Sequence, residues 1–196
     1  MPRLIVGLTG PIGSGKSTVA SEFCRYGFTR VRFAGPLKKM MTVLGLSIDQ
    51  VDGSAKETPS ELLCGKTPRH AMQTIGTEWG RDLIGPDLWV NAWKHAVSRL
   101  PDDMSVVADD LRFENEAAAV RALGGIIVRV QRNQVYVTNY LTATHASEQF
   151  DFDPDSVIHN DSTIEQLAQQ VRFMVVGLAQ GVTAEDAQMR DTQRVA

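Results

Sequence analysis

Five short runs rich in apolar and β-branched residues punctuate the chain, at positions 3–8, 29–34, 105–109, 126–130 and 156–159. Helical patterns separate them, so the spacing predicts parallel strands joined by crossover helices. After the first run, Thr18-Val19-Ala20-Ser21-Glu22-Phe23 is helix-compatible. After the second, Pro36 can open a helix at its first position, with Leu37, Met40, Met41 and Leu44 at i, i+3, i+4 and i+7 as a core-facing stripe. Residues 47–66 read as an exposed polar connection, with Asp52-Gly53 and Thr58-Pro59 as turn signals. Thr67 and Pro68 begin a helix running to about Arg81, with Ala71 or Met72, Ile75 and Trp79 on its apolar face. Asp87 caps a further helix on which Trp89, Trp93 and Val97 step by four and belong to the core, with His95 at the surface. Ala117, Val120 and Leu123 face inward on a helix that Gly124-Gly125 ends. From Thr163 a last helix turns Ile164, Leu167, Ala168, Val171, Val175 and Leu178 inward.

Residues 131–150 break this rhythm, carrying Gln, Asn, Thr and Tyr with little periodicity. A stretch of that size inside a compact domain is usually functional, most often as a lid. The expected architecture is therefore α/β: a three-layer fold with a five-stranded parallel sheet flanked by helices and ligands at the strands' carboxyl ends. It occupies one domain over residues 1–180, with an insertion at about 36–85, a lid at about 131–150 and a polar tail at 181–196.

Composition narrows the class. At 196 residues, 43% apolar and 22% charged, the chain is an ordinary globular domain with a real core. A net charge of −3 argues against a nucleic-acid polymer as ligand, which normally requires a basic excess. Cys24 and Cys64 have no metal-site spacing and fit a reducing cytoplasm. No window approaches a membrane span or a signal-peptide core.

The chemistry begins at Gly10-Pro11-Ile12-Gly13-Ser14-Gly15-Lys16-Ser17, a complete G-x4-G-K-S phosphate loop placed between a strand run and the helical run from Thr18. Glycines let backbone N–H groups curl around a phosphate chain, and the following helix points its positive end at the same anion. Lys16 can reach the β- and γ-phosphates of a nucleoside triphosphate, and Ser17 can ligate Mg²⁺. The strand at 105–109 ends in Asp109-Asp110, candidates for a Walker B carboxylate on opposite sides of the strand. Arg112 lies just beyond, where a guanidinium can take phosphate bidentately. Lys38 lies off its helix stripe, near the expected crevice. On the helix from Pro68, an α-helical period brings Arg69, Gln73, Gly76 and Gly80 to one face: a cation, an amide and small residues, as a nucleoside monophosphate pocket needs. Arg129 is an unexpected charge within a buried strand, and Arg132 follows two residues beyond it.

Laid out in order, these blocks resemble the bacteriophage deoxynucleoside monophosphate kinases of the P-loop nucleoside monophosphate kinase superfamily. The resemblance rests on the phosphate loop, Ala34-Gly35-Pro36-Leu37-Lys38, Arg69…Met72-Gln73-x-Ile75-Gly76-Thr77, and Asp110-x-Arg112 leading to Glu116. It continues through Arg121-Ala122-x-Gly124-Gly125, His145-x-Ser147-Glu148 and Asn160-Asp161-Ser162-Thr163-Ile164-Glu165-x-Leu167, where Ser162 replaces the family's usual glycine. It implies transfer of the γ-phosphoryl of ATP, with Mg²⁺, to a deoxynucleoside monophosphate in the cytoplasm, with homodimerisation a family habit. Under it, Gly10, Ile12, Gly13, Ser14, Gly15, Lys16, Ser17 and Thr18 bind ATP, with the metal on Ser17. Lys38, Arg69 and Arg112 take the acceptor phosphate, while Gln73, Thr77 and Trp79 shape the base and sugar pocket. Asp110 meets a Mg²⁺-bound water or the sugar, and Arg132, with Arg129, closes from the lid over the transferring group. Two rival readings are a phosphate-loop kinase of another small metabolite, such as dephospho-coenzyme A, and a P-loop switch or motor ATPase. The first wants a catalytic carboxylate near strand one, where the chain has Thr9-Gly10-Pro11; the second wants a water-orienting residue and a partner surface.

Overall fold

A computed structural model describes residues 3–132 and 152–181. The expected lid beyond Arg132, with His145, Ser147 and Glu148, and the tail beyond Gly181 lie outside the described residues. The five runs form β1 (Ile5–Thr9), β2 (Thr29–Arg30), β3 (Val106–Ala108), β4 (Ile126–Gln131) and β5 (Ser156–His159). They make one sheet in the order β2-β3-β1-β4-β5, and every pair is parallel. The strand expected at 29–34 is regular over only two residues, with one further bond from the Val31 N–H to the Val107 carbonyl at 3.0 Å.

The chain divides into two compact units, one comprising residues up to Arg32 and from Val97 onward, the other Phe33–Ala96. The first unit contains the sheet. Because strand side chains alternate between faces, Val6, Leu8, Val107, Val128, Val130 and Ile158 all meet one layer of helices. That layer is α1 (Lys16–Arg25) and a C-terminal helix, α7 (Ile164–Ala179), whose Val19, Ala20, Phe23, Leu167 and Val171 complete the core. The opposite face carries α6 (Glu114–Ala122) against β1 and β4. Gly7 there leaves just enough room for Leu111 and Val120. Ile164, expected inward, is 65% exposed, because it is the first residue of α7 and lies beyond the packed turns.

The second unit is helical: α2 (Gly35–Val43), α3 (Ile48–Asp52), α4 (Pro68–Thr74), a π-helix (Ile75–Ile84) and most of α5 (Leu88–Ser98). Pro36 takes the second position of α2, not the first. Of the expected stripe only Leu37 and Met41 are buried; Met40 and Leu44 are 39% and 56% exposed. Met41 packs with Leu46 and Val51, with Ala71, Met72 and Ile75 around them, so α3 and α4 cover one edge of the stripe. The supposed polar connection contains α3 because Ser47 and Gln50 cap it reciprocally: the Ser47 hydroxyl accepts the Gln50 N–H at 3.3 Å, and Gln50 Oε1 accepts the Ser47 N–H at 3.0 Å. Thr67 caps α4 by accepting the His70 N–H at 3.1 Å.

The largest departure from expectation is the π-helix. Past Thr74 the hydrogen bonds lengthen to i→i+5, as in Gly85 N–H to Gly80 carbonyl at 3.0 Å, so the α-helical period that aligned Arg69 and Gln73 with Gly80 no longer holds. Both glycines lie beside Trp89, and at Gly80 that contact requires the missing side chain. The indole Nε1–H donates to the Gly76 carbonyl at 2.8 Å, and a β-carbon on Gly80 would come within 2.7 Å of the indole ring. Trp89 and Trp93 are core, as expected, with Trp93 stacked on Phe33 at 4.6 Å. Trp79, expected on an apolar face, is 39% exposed.

This packing fixes a sign. Glycine to alanine inside a helix ordinarily gains about 1 kcal/mol. Gly80→Ala should instead lose about 1–3 kcal/mol in denaturant unfolding, because the added methyl meets a buried indole. A stabilised variant would show that Gly80 is not there for Trp89.

Candidate active site

The phosphate loop joins β1 to α1 at the carboxyl edge of the sheet. Gly10, Gly13 and Gly15 have φ of 136°, 81° and 97°, a region that L side chains rarely adopt. Two of them are also crowded: a β-carbon on Gly10 would overlap the Val130 carbonyl, and one on Gly15 would overlap the Asn160 amide. Gly15 caps α1 without a side-chain acceptor, so the first turn of α1 has amides with no intrahelical partner. Lys16 arches over the loop, its Nζ donating to the Gly10 and Pro11 carbonyls at 2.6 and 2.9 Å. Ile12, Gly13, Ser17 and Thr18 are exposed, while Ser14 is buried. Asn160, just past β5, donates from Nδ2 to the Ser14 carbonyl at 2.9 Å.

Beside the loop lies a charged cluster that periodicity does not mark. Arg32 meets Asp109 through Nε at 2.8 Å, and Arg30 reaches the same carboxylate at 3.6 Å. Arg30 also donates to the Ser17 carbonyl and the Ser21 hydroxyl, both at 2.9 Å, which ties the first turn of α1 to β2. The Asp109 side chain is 3% exposed. Of the two Walker B candidates, Asp109 is buried against Arg30 and Arg32, and Asp110 is half-buried. The available signal was Arg30 and Arg32 at alternate positions near the end of an otherwise apolar strand, with an acid ending a neighbouring one.

Arg112 follows β3 and is half-buried, its backbone N–H held by the Glu116 carboxylate at 2.8 Å. The same carboxylate takes the Phe113 N–H at 3.2 Å at the start of α6. Among the described residues, no carboxylate pairs with the Arg112 guanidinium. Arg129 belongs to β4, as the strand run predicts, in register with Thr9 of β1. Its Nε and the Thr9 hydroxyl are buried without a partner among the described residues. Arg132 is exposed just beyond β4.

In the second unit, Lys38 pairs with Asp52 at 2.5 Å, and Arg69 pairs with Glu57 through Nε. Gln73 and Thr77 are exposed, and Trp79, 39% exposed, has its ring 6.3 Å from that of Trp89. Among the described residues no three histidine, cysteine or acidic side chains gather as a metal cage. Mg²⁺ does not require one, since it keeps several waters and binds through nucleotide phosphates and one or two protein oxygens. The exposed Ser17 hydroxyl on the first turn of α1 suits that role. No helix among the described residues is long and apolar enough to cross a membrane.

A family model for deoxynucleotide monophosphate kinase matches residues 65–171. A protein of Acanthamoeba polyphaga mimivirus, provisionally named a deoxynucleotide monophosphate kinase, is 35% identical over 185 residues, covering 86% of this chain and 94% of its own. That relative comes from a giant virus, so the match extends beyond the bacteriophage branch. Among solved structures, the APS kinase of Mycobacterium tuberculosis aligns at 17% identity and TM-score 0.46, covering 89% of this chain and 97% of its own. The dephospho-CoA kinase of Campylobacter jejuni aligns at 14% identity and TM-score 0.43, covering 90% and 98%. Likenesses that slight fix no activity.

The Asp109 cluster has a measurable consequence. Asp109→Asn preserves shape but leaves Arg30 and Arg32 side by side without their anion. Hydrogen bonds to a charged group contribute about 1.5–3 kcal/mol, and urea unfolding at neutral pH should show a loss of that order. A loss under about 0.5 kcal/mol, the usual size for a surface substitution, would mean that the cluster does not hold β2 and β3 together.

Proposed function

The chain belongs to the deoxynucleotide monophosphate kinase family, and from that premise we propose that it transfers the γ-phosphoryl group of ATP to a deoxynucleoside monophosphate, giving the diphosphate. The observation that carries this reading is the phosphate loop, with a lysine arched over its carbonyls at the carboxyl edge of a parallel sheet. Family membership supports this reading over the dephospho-coenzyme A reading and the switch or motor reading. The acceptor is a phosphate that is already anionic at neutral pH, so no side chain need remove a proton from it. Catalysis then consists of positioning and charge neutralisation.

In this account the loop from Gly10 to Thr18 binds ATP, and Lys16 exchanges the Gly10 and Pro11 carbonyls for β- and γ-phosphate oxygens. The Ser17 hydroxyl, with Asp110 through water, would hold a Mg²⁺ ion, which would supply charge neutralisation for the phosphates. Arg112 keeps its role at the acceptor phosphate, and its pinned backbone N–H favours a fixed donor there. Arg132 would contact the transferring group, and Gln73, Thr77 and Trp79 would contact base and sugar. Lys38 and Arg69 must leave Asp52 and Glu57 to take a phosphate. Both pairs are partly exposed, and such pairs contribute about 0–1 kcal/mol, so a dianionic phosphate competes easily. The reaction fits a cytoplasmic setting, in the host cell if the protein is viral.

Two variants test this assignment in steady-state kinetics. Lys16→Ala should lower kcat by roughly 10²-fold or more, the usual loss on removing a preorganised donor, with the fold intact by circular dichroism; retained turnover would sink the scheme. Arg69→Ala should raise the monophosphate KM by about tenfold, as expected for one lost charged hydrogen bond, and leave the ATP KM near its original value. An unchanged monophosphate KM would remove Arg69 from the acceptor site.

A further inference from the structure

Asn160 lies just past β5 and has no part in the phosphoryl transfer proposed for this chain. Three observations place it. Its backbone N–H is fixed by the Gln131 carbonyl at 2.8 Å, so the end of β5 stays in step with the end of β4. Its side-chain Nδ2 donates to the Ser14 carbonyl at 2.9 Å. Its amide fills the space that a β-carbon on Gly15 would need. The acceptor is a carbonyl, so the amide orientation is settled: nitrogen, not oxygen, faces Ser14.

The peptide joining Ser14 to Gly15 is the unit held. In a trans peptide the carbonyl and the following N–H point in opposite directions. Pinning the Ser14 carbonyl on one side therefore aims the Gly15 N–H to the other. Nothing in the local backbone alone would keep it there, because Gly15 sits at φ 97° and glycine tolerates the alternative peptide orientation at little cost. We propose that Asn160 is a positioning residue of the phosphate loop: it locks the Ser14–Gly15 peptide so that the Gly15 N–H is presented to the phosphate chain of the donor nucleotide. This rests on the reading of the loop as the ATP site. It touches no reacting atom and acts only through the loop backbone.

The test is isothermal titration of the full chain with Mg²⁺-ATP and, separately, with inorganic tripolyphosphate, for wild type, Asn160→Ala and Asn160→Asp. Tripolyphosphate carries the phosphates without base or sugar, so it reads the loop alone. Asn160→Ala should weaken both ligands about tenfold or more by a similar factor, as expected for a lost hydrogen bond to a charged ligand. Asn160→Asp should weaken both further, since a carboxylate repels the Ser14 carbonyl and the phosphates alike. Amide hydrogen exchange of the ligand-free protein gives an independent readout: residues 13–17 should exchange faster in Asn160→Ala while β1 stays protected. Loss of ATP affinity without loss of tripolyphosphate affinity would place Asn160 at the base and overturn the proposal. So would affinities equal to wild type, or unchanged exchange in the loop. A wild-type chain that binds neither ligand would instead overturn the ATP-site reading itself, and this inference with it.

Discussion

Between β1 and α1 the backbone must turn through conformations that only glycine adopts comfortably, while neighbouring groups press against the turn. Gly10 lies against the Val130 carbonyl and Gly15 against the Asn160 amide, both with positive φ. Sterics therefore fix these two positions twice, through torsion and through space. Much of the first unit supports that turn. β3 and β4 flank β1 in register, α1 starts where the loop ends, and Arg30 ties the opening turn of α1 to β2 through the Ser17 carbonyl. The result is a closely packed turn of backbone around Lys16, with the first amides of α1 beside it, an arrangement suited to an anion.

The second unit is built differently. Its core is small, gathered around Met41, Leu46 and Val51, with aromatic packing of Phe33 on Trp93. Its charged candidates, Lys38 and Arg69, rest on carboxylates at the surface. A phosphate can take their place because those ion pairs contribute so little. Asp109 differs: it is buried, and two arginines converge on it. Burial thus separates the two kinds of charge: a framework pair in the first unit, and in the second unit exposed pairs that the proposed acceptor phosphate would displace.

Much of the fold can be read from the chain because its signals are local. Five apolar runs gave five parallel strands, and the phosphate loop fell between β1 and α1 as its spacing demands. Where signals are not local, reading failed. Gly76 and Gly80 look like one face of an α-helix, but a π-helical segment changes the period, and their partner, Trp89, lies nine residues beyond Gly80. The Arg30–Asp109–Arg32 cluster depends on β2 lying beside β3, which no periodicity encodes. Asn160 reaches the loop across 146 residues of sequence, so only the sheet order brings them together. Arg129 falls in the strand, as its run predicts, but its place beside Thr9 follows from β4 pairing with β1. The short helix α3 was legible after all, through the Ser47–Gln50 capping box.

The account stands or falls on the acceptor. The direct measurement is a coupled assay that follows ADP release from ATP with each of the four deoxynucleoside monophosphates in turn, with chromatography of the products. The account predicts stoichiometric formation of ADP and a deoxynucleoside diphosphate with at least one of the four, and negligible ATP consumption when no monophosphate is present. ATP hydrolysis without an acceptor, or phosphoryl transfer only to a hydroxyl-bearing metabolite, would contradict it.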